Sequence, residues 1–256
     1  MLALISSAKT LDFETEVKSD IETWPEFSGD SNLLIKGLKK LSPSALSKLM
    51  GVSDQLGELN ARRFGQWQTN LTGSNAKPAL MAFKGDVYTA LDAPSYKASD
   101  IKFAQKHLRI LSGLYGLLRP MDLIQPYRLE MAVKYESDRG KNLYGFWGDK
   151  ITLELNEQLQ SVRSHTIVNL ASNEYFKVVK QKLLEAEVVT PVFRDYKNGD
   201  YKIISYFAKK ARGLMSSYIV KNRIIEVGDL KTFDIDGYHF NKKLSSEQEL
   251  LFTRKQ

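Results

Sequence analysis

The sequence predicts a mixed α/β fold in one compact domain. Three observations carry that expectation. Apolar runs of strand length alternate with stretches whose apolar residues recur at helical spacing. Two β-rich runs late in the chain flank a turn dipeptide. The 256 residues are 43% hydrophobic, enough to bury a sizeable core, and no linker, repeat or low-complexity tract divides them. Residues 1–256 are therefore read as a single domain.

Taken in order, residues 2–6 form a first strand, followed by an acidic loop holding Trp24 and Pro25. Leu33, Leu34, Gly37, Leu38 and Leu41 mark an amphipathic helix over about 31–41. Ser42 caps a further short helix whose first position is Pro43, since a missing N–H costs nothing there. Another helix runs from Asp54 to Trp67, and 99–109 reads as a helix capped by Ser99. Residues 146–159 form one helix and 165–171 a strand. In "EVVTPVFRDYKNGDYKIISYFAKK", Asn198-Gly199 supplies the left-handed conformations of a tight hairpin turn. Residues 201–211 continue as a strand, so Lys210 and Arg212 share one face and Lys209 the other. Gly213 then opens a helix.

Charge narrows the partners. The formal net charge is +7, and it is unevenly placed: residues 1–34 carry two basic and seven acidic side chains, residues 35–135 fifteen and seven, residues 177–212 nine and four. If folding joins the two basic blocks, they make one positive surface suited to an anionic partner. The chain has no cysteine, which excludes disulfides, thiolate metal sites and thiol redox chemistry. "MLALISSAKT" reads as a strand rather than a leader, and no apolar run reaches the roughly 18 residues of a membrane span. The expectation is a cytoplasmic protein without a membrane partner.

Phosphate-loop, dinucleotide, nucleophile-elbow and zinc-protease motifs are all missing. His107, His165 and His239 are far apart and lack ligand spacing, so neither a cofactor nor a metal cage is expected. Two stretches remain. In "LSKLMGVSDQLGELNARRF", residues 49–53 resemble the turn of helix-hairpin-helix modules, with Met50 in place of the usual proline and Ser53 in place of the second glycine. Such a turn presents N–H groups and a helix N-terminus to phosphate, although Asp54 would repel it; the other reading is an ordinary turn capped by Ser53. The element spans about 42–67, and Lys48, Gly51, Ser53, Arg62 and Arg63 are its candidate contacts. In "HLRILSGLYGLLRPMDLIQPYRLEM", Gly113 and Gly116 permit a sharp turn or a close approach, and Arg109, Arg119 and Arg128 recur through apolar surroundings. Those arginines either pair with Asp122 and Glu130 or fork onto phosphate oxygens.

"LISSAKTLDF", "FKGDVYTAL", "HLRILSGLYGLLRPMDLIQPYRLEM", "LYGFWGDKIT", "VNLASNEYFKVVKQKL" and "YKIISYFAKKARGLMSSYIV", in this order and nearly end to end, resemble the bacterial peroxide-stress protein YaaA family. The family's usual first segment has proline where Ser7 stands; Lys9 is unchanged. The resemblance implies a cytoplasmic protein that protects DNA and proteins during hydrogen peroxide stress by helping keep unincorporated iron low. It also implies a fold peculiar to the family, with a basic cleft and a helix-hairpin-helix element that binds duplex DNA.

Three functions stand side by side. In the first, Lys9, Lys84, Arg109, Arg119, Arg128, Lys177, Lys209, Lys210 and Arg212 line a positive cleft that follows double-stranded DNA, intact, distorted or damaged, through its phosphates without base readout. Tyr115, Tyr127, Tyr175 and Tyr206 are then available to stack on exposed bases, although packing explains most of them. In the second, the chain is a metal-assisted enzyme acting on a phosphate-containing or nucleotide substrate, with Lys84, Asp86 and Glu174 as catalytic candidates and Asp149 a further carboxylate. In the third, the acidic N-terminal stretch sequesters iron directly.

Overall fold

The computed structural model describes residues 1–17 and 21–255. The chain opens with strand β1 (Leu2–Ser6), whose Leu2, Ala3, Leu4 and Ile5 are all buried, the continuous apolar run of a strand covered on both faces. A short strand β2 (Thr10–Leu11) and helices α1 (Ser28–Leu38), α2 (Pro43–Met50) and α3 (Asp54–Gly65) follow. Next come β3 (Lys77–Pro78), α4 (Ala79–Ala82), β4 (Phe83–Lys84), α5 (Asp86–Leu91) and α6 (Ala98–His107). The N-cap of α6 is Lys97, not Ser99, and the Asp100 carboxylate accepts from the Lys97 N–H at 2.8 Å. Strands β5 (Leu108–Ser112), β6 (Gly116–Leu118) and β7 (Leu123–Ile124) complete the first half.

The expected helix over 146–159 is two, α7 (Leu143–Trp147) and α8 (Lys150–Ser161), broken where Gly148 takes φ +54°. Strand β8 (Thr166–Asn169) leads to α9 (Asn173–Phe176) and the hairpin of β9 (Glu187–Lys197) and β10 (Asp200–Lys202). Its turn is the expected one, with φ +54° at Asn198 and +83° at Gly199. The chain then departs from expectation. Helix α10 (Ser205–Lys221) takes in residues 205–211, expected as strand, and Gly213, expected to open the helix, lies inside it. Ala208, Ala211, Met215 and Ile219 recur at helical spacing on its buried side. A Cβ at Gly213 would lie 2.1 Å from the Val87 carbonyl oxygen, so the glycine lets α10 close on α5. Strands β11 (His239–Phe240) and β12 (Glu249–Arg254) end the fold.

Eight strands form one sheet in the order β11-β12-β9-β8-β1-β5-β6, with β10 added to β9. The pairs β12/β9, β9/β8, β8/β1 and β1/β5 are parallel, whereas β5/β6, β9/β10 and β11/β12 are antiparallel. From β1 the chain proceeds to β5 on one side and only later to β8 on the other. Connections therefore diverge at the carboxyl ends of β1 and β8, where open α/β sheets leave a crevice. Among the described residues, no helix is long and apolar enough to cross a membrane.

Candidate functional site

Helices α2 and α3 pack against each other and are joined by Gly51, Val52 and Ser53. The Ser42 hydroxyl accepts from the Ala45 N–H at 3.2 Å and caps α2, with Pro43 first in the helix as expected. Gly51 ends α2 at φ +62°, and Ser53 caps α3 by accepting from Leu56 N–H at 3.4 Å. Close packing is enforced within the pair: the Ser47 hydroxyl donates to the Pro43 and Ser53 carbonyls, and a Cβ at Gly57 would lie 2.0 Å from it. Lys48 and Arg62 are exposed and have no acidic partner among the described residues. Arg63 turns elsewhere, half-buried against a separate groove floored by Gln66, Lys77 and Gln125. Burial lowers its pKa.

The end of α2 forms one wall of a groove of about 480 Å³. That wall is residues 48–51; the other is Glu130, residues 132–134 and Glu174. Gly113 makes this placement possible, since a Cβ there would lie 2.3 Å from the Leu129 carbonyl oxygen and push the 129–130 backbone outward. The expected close approach at Gly113 is thus one of backbone to backbone.

Behind the groove lies the crevice at the ends of β1, β5 and β8. The Ser6 hydroxyl accepts from the Ser172 N–H at 3.0 Å, tying β1 to the start of α9. Ser112 and Tyr127 share a hydroxyl–hydroxyl bond of 2.6 Å, and Tyr88 donates to the Ser6 carbonyl at 3.0 Å. Burial pushes the Tyr127 phenol up to about 12, partly opposed by hydrogen bonding to Ser112 and Ser7, and burial likewise raises Tyr175. Lys9 and Arg128 both close on Glu130 Oε1, at 3.1 and 3.2 Å. The buried Arg128 Nε and Glu130 Oε2 have no hydrogen-bond partner among the described residues. Glu174 accepts from the Ala132 N–H at 3.2 Å, and its carbonyl accepts from the Tyr144 hydroxyl at 2.8 Å. Lys177 is exposed with its ammonium 5.3 Å from the Tyr144 ring centre. Sequence reasoning did not single out Ser6, Ser172 or Lys134. The available signal for the two serines was position, each at or just past the carboxyl end of a predicted strand.

The remaining candidates scatter. Lys84 is exposed and 4.0 Å from Asp12. Arg109 is 4% exposed and spends its guanidinium inside the fold, donating to Gln158 and to the Gln105 and Leu108 carbonyls. Its flanks in β5 face the core on both sides, which is why it cannot line a cleft; burial lowers its pKa to about 10. Arg119 holds buried Asp122 at 3.0 Å and the Trp24 carbonyl at 2.8 Å, securing the N-terminal loop. Burial raises the Asp122 pKa.

The helical conformation of α10 reverses the expected grouping of its cations. Lys210 pairs with Asp236 at 3.2 Å, and that acid also binds Arg254 of the buried Asp195–Arg254 pair. Arg212 is largely covered and donates to the Ala208 carbonyl, with its pKa lowered by burial. Lys209, one turn before Gly213, is the exposed one without an acidic partner among the described residues. Of the four tyrosines, Tyr115, Tyr127 and Tyr175 are buried and only Tyr206 is exposed.

Asp86 lies in the first turn of α5, and Asp149 pairs with Lys180 at 2.5 Å. No group of three His, Asp or Glu able to hold a metal ion occurs among the described residues. The acidic stretch proposed for iron includes residues 18–20, which lie outside the described residues.

A family model described as peroxide stress protein YaaA matches residues 1–244. Similar chains include UPF0246 proteins from Saccharophagus degradans, 59% identical over 256 residues and 100% of both chains, and from Teredinibacter turnerae, 56% identical with the same coverage. A UPF0246 protein from Aliivibrio fischeri is 57% identical over 100% of this chain and 99% of its own.

Proposed function

The chain belongs to the peroxide stress protein YaaA family, and from that premise we propose that it serves in the response to hydrogen peroxide by binding double-stranded DNA. Contact is to the phosphate backbone, through the α2–α3 turn as a helix-hairpin-helix element, without base readout. The iron-sparing role, which limits oxidative damage to DNA and proteins, follows from the family resemblance, and the protein works in the cytoplasm.

The observation that carries the DNA reading is the α2–α3 pair itself. A left-handed Gly51 ends one helix, Ser53 starts the next, and Lys48, in the last turn of α2, stands beside them with its charge unspent; Arg62, also without an acidic partner among the described residues, lies at the far end of α3. A helix start favours phosphate through its N–H groups, and exposed cations add attraction that carries no sequence information. Lys134, Lys177 and Lys209 extend the set of exposed cations without acidic partners among the described residues. The ion-paired Lys9, Lys84, Arg119, Arg128 and Lys210 contribute less, because each meets a carboxylate already.

Anisotropy titration of a labelled duplex over a range of salt concentrations tests the reading. Log affinity falls linearly with log salt, by about 0.9 per phosphate neutralised, and unrelated duplex sequences bind alike. Affinity independent of salt overturns it.

A further inference from the structure

We propose that the groove beside the α2–α3 turn receives a single unstacked nucleobase from the strand that the turn holds. The inference rests on the DNA reading and adds a ligand to it. The groove is bounded on one side by the turn, so a nucleotide whose phosphate meets the turn has its base within reach of the opposite wall.

Charge selects the ligand. Two carboxylates, Glu130 and Glu174, line the groove, while Lys48 and Lys134 stand on its two walls. A phosphate entering the groove would meet both carboxylates. A small cation would meet the lysines, with Lys9 and Arg128 behind Glu130. A neutral group rich in N–H donors satisfies the carboxylates without either repulsion. Behind the groove wall, the buried Glu130 Oε2 and Arg128 Nε have no partner among the described residues, so the polar network that backs Glu130 is incomplete as it stands. Leu49, Met50 and Val133 supply apolar surface for the flat faces of a ring. A nucleobase combines these features, an edge of N–H donors and acceptors with apolar faces, and proteins that capture bases read that edge. The carboxylates favour bases with an exocyclic amine, namely adenine, cytosine and guanine.

The test uses 2-aminopurine, whose fluorescence rises on unstacking and which carries such an amine. It is placed once in a duplex opposite a mismatch and once in a single-stranded oligonucleotide, and binding is followed by anisotropy in parallel. Fluorescence of the mismatched duplex rises at least about three-fold on binding. In Glu130→Gln the rise falls by half or more although the duplex binds no more weakly, a split that loss of fold would not produce. In Ala132→Trp, at an exposed position on the groove wall, the rise is lost in a protein with the wild-type melting temperature. Duplex binding with no fluorescence change in either oligonucleotide overturns the base site and leaves the DNA reading intact. A rise with the single strand and no duplex binding upholds the base site and overturns the duplex reading. Neither response overturns both.

Discussion

The Lys9 ammonium lies 3.1 Å from Glu130 Oε1, joining the loop after β1 to the segment that passes over Gly113. Lys9 is well exposed, so the pair adds only about 0–1 kcal/mol to stability. Its consequence is electrostatic, because Glu130 cancels a cation that would otherwise face a bound anion. Glu130→Gln therefore strengthens duplex binding about two- to five-fold at low salt and less at high salt. Unchanged binding by this variant would place the pair away from the bound strand.

Gly213→Ala forces a methyl group against the Val87 carbonyl and the Ala90 side chain, with approaches of 2.1 and 2.9 Å before any relaxation. Helices α5 and α10 must then separate. The variant loses about 1–3 kcal/mol in denaturant unfolding. An unchanged midpoint would show that the helix contact is not tight.

Arg109→Met leaves the Gln158 side chain and the Gln105 and Leu108 carbonyls without the donor they now share. Thermal unfolding registers a loss of about 2–4 kcal/mol, while duplex affinity per folded molecule stays at the wild-type value. Weakened binding by a fully folded variant would restore Arg109 to the interface.

Asp12 holds the turn that follows β2. The Thr15 N–H and hydroxyl donate to its carboxylate, at 3.0 and 2.9 Å, and with Lys77 and the Glu14 N–H they lower its pKa to about 2. A carboxyl group more acidic in the folded state than in the unfolded one adds stability above its ordinary range near pH 4. That contribution is lost as pH falls toward 2. An NMR titration of the Asp12 carboxyl finds the midpoint near 2, and Thr15→Val raises it while leaving it below the ordinary value, since the backbone donors remain. A wild-type midpoint at the ordinary value contradicts this.

Local chemistry made part of this architecture legible in the sequence. Ser42-Pro43 marked a helix start, Asn198-Gly199 a hairpin, and the apolar run in residues 2–6 a strand, because each acts through its own backbone. Residues 205–211 misled because the β-rich run before them continues in Tyr206 and Phe207, while the helical stripe of Ala208, Ala211 and Met215 is built from small or flexible side chains. Their helix is settled by Gly213 closing on α5, a non-local contact. Strand β12 pairs in parallel with β9, more than fifty residues earlier, and nothing local announces it. The turn between α2 and α3 was readable from spacing. The pairing of Arg119 with Asp122 and of Arg128 with Glu130 was one of the two alternatives the sequence offered, whereas the partners of Lys9 and Lys210 were not readable, since those pairs depend on which loops folding brings together.

The central claim is that the α2–α3 turn grips phosphate, and Lys48 tests it most directly, being exposed and free of any acidic partner among the described residues. The measurement is the slope of log affinity against log salt for Lys48→Ala beside wild type on one duplex. The variant keeps its melting temperature, binds more weakly, and has a slope shallower by about 1. A slope identical to wild type, with affinity unchanged, would contradict the claim.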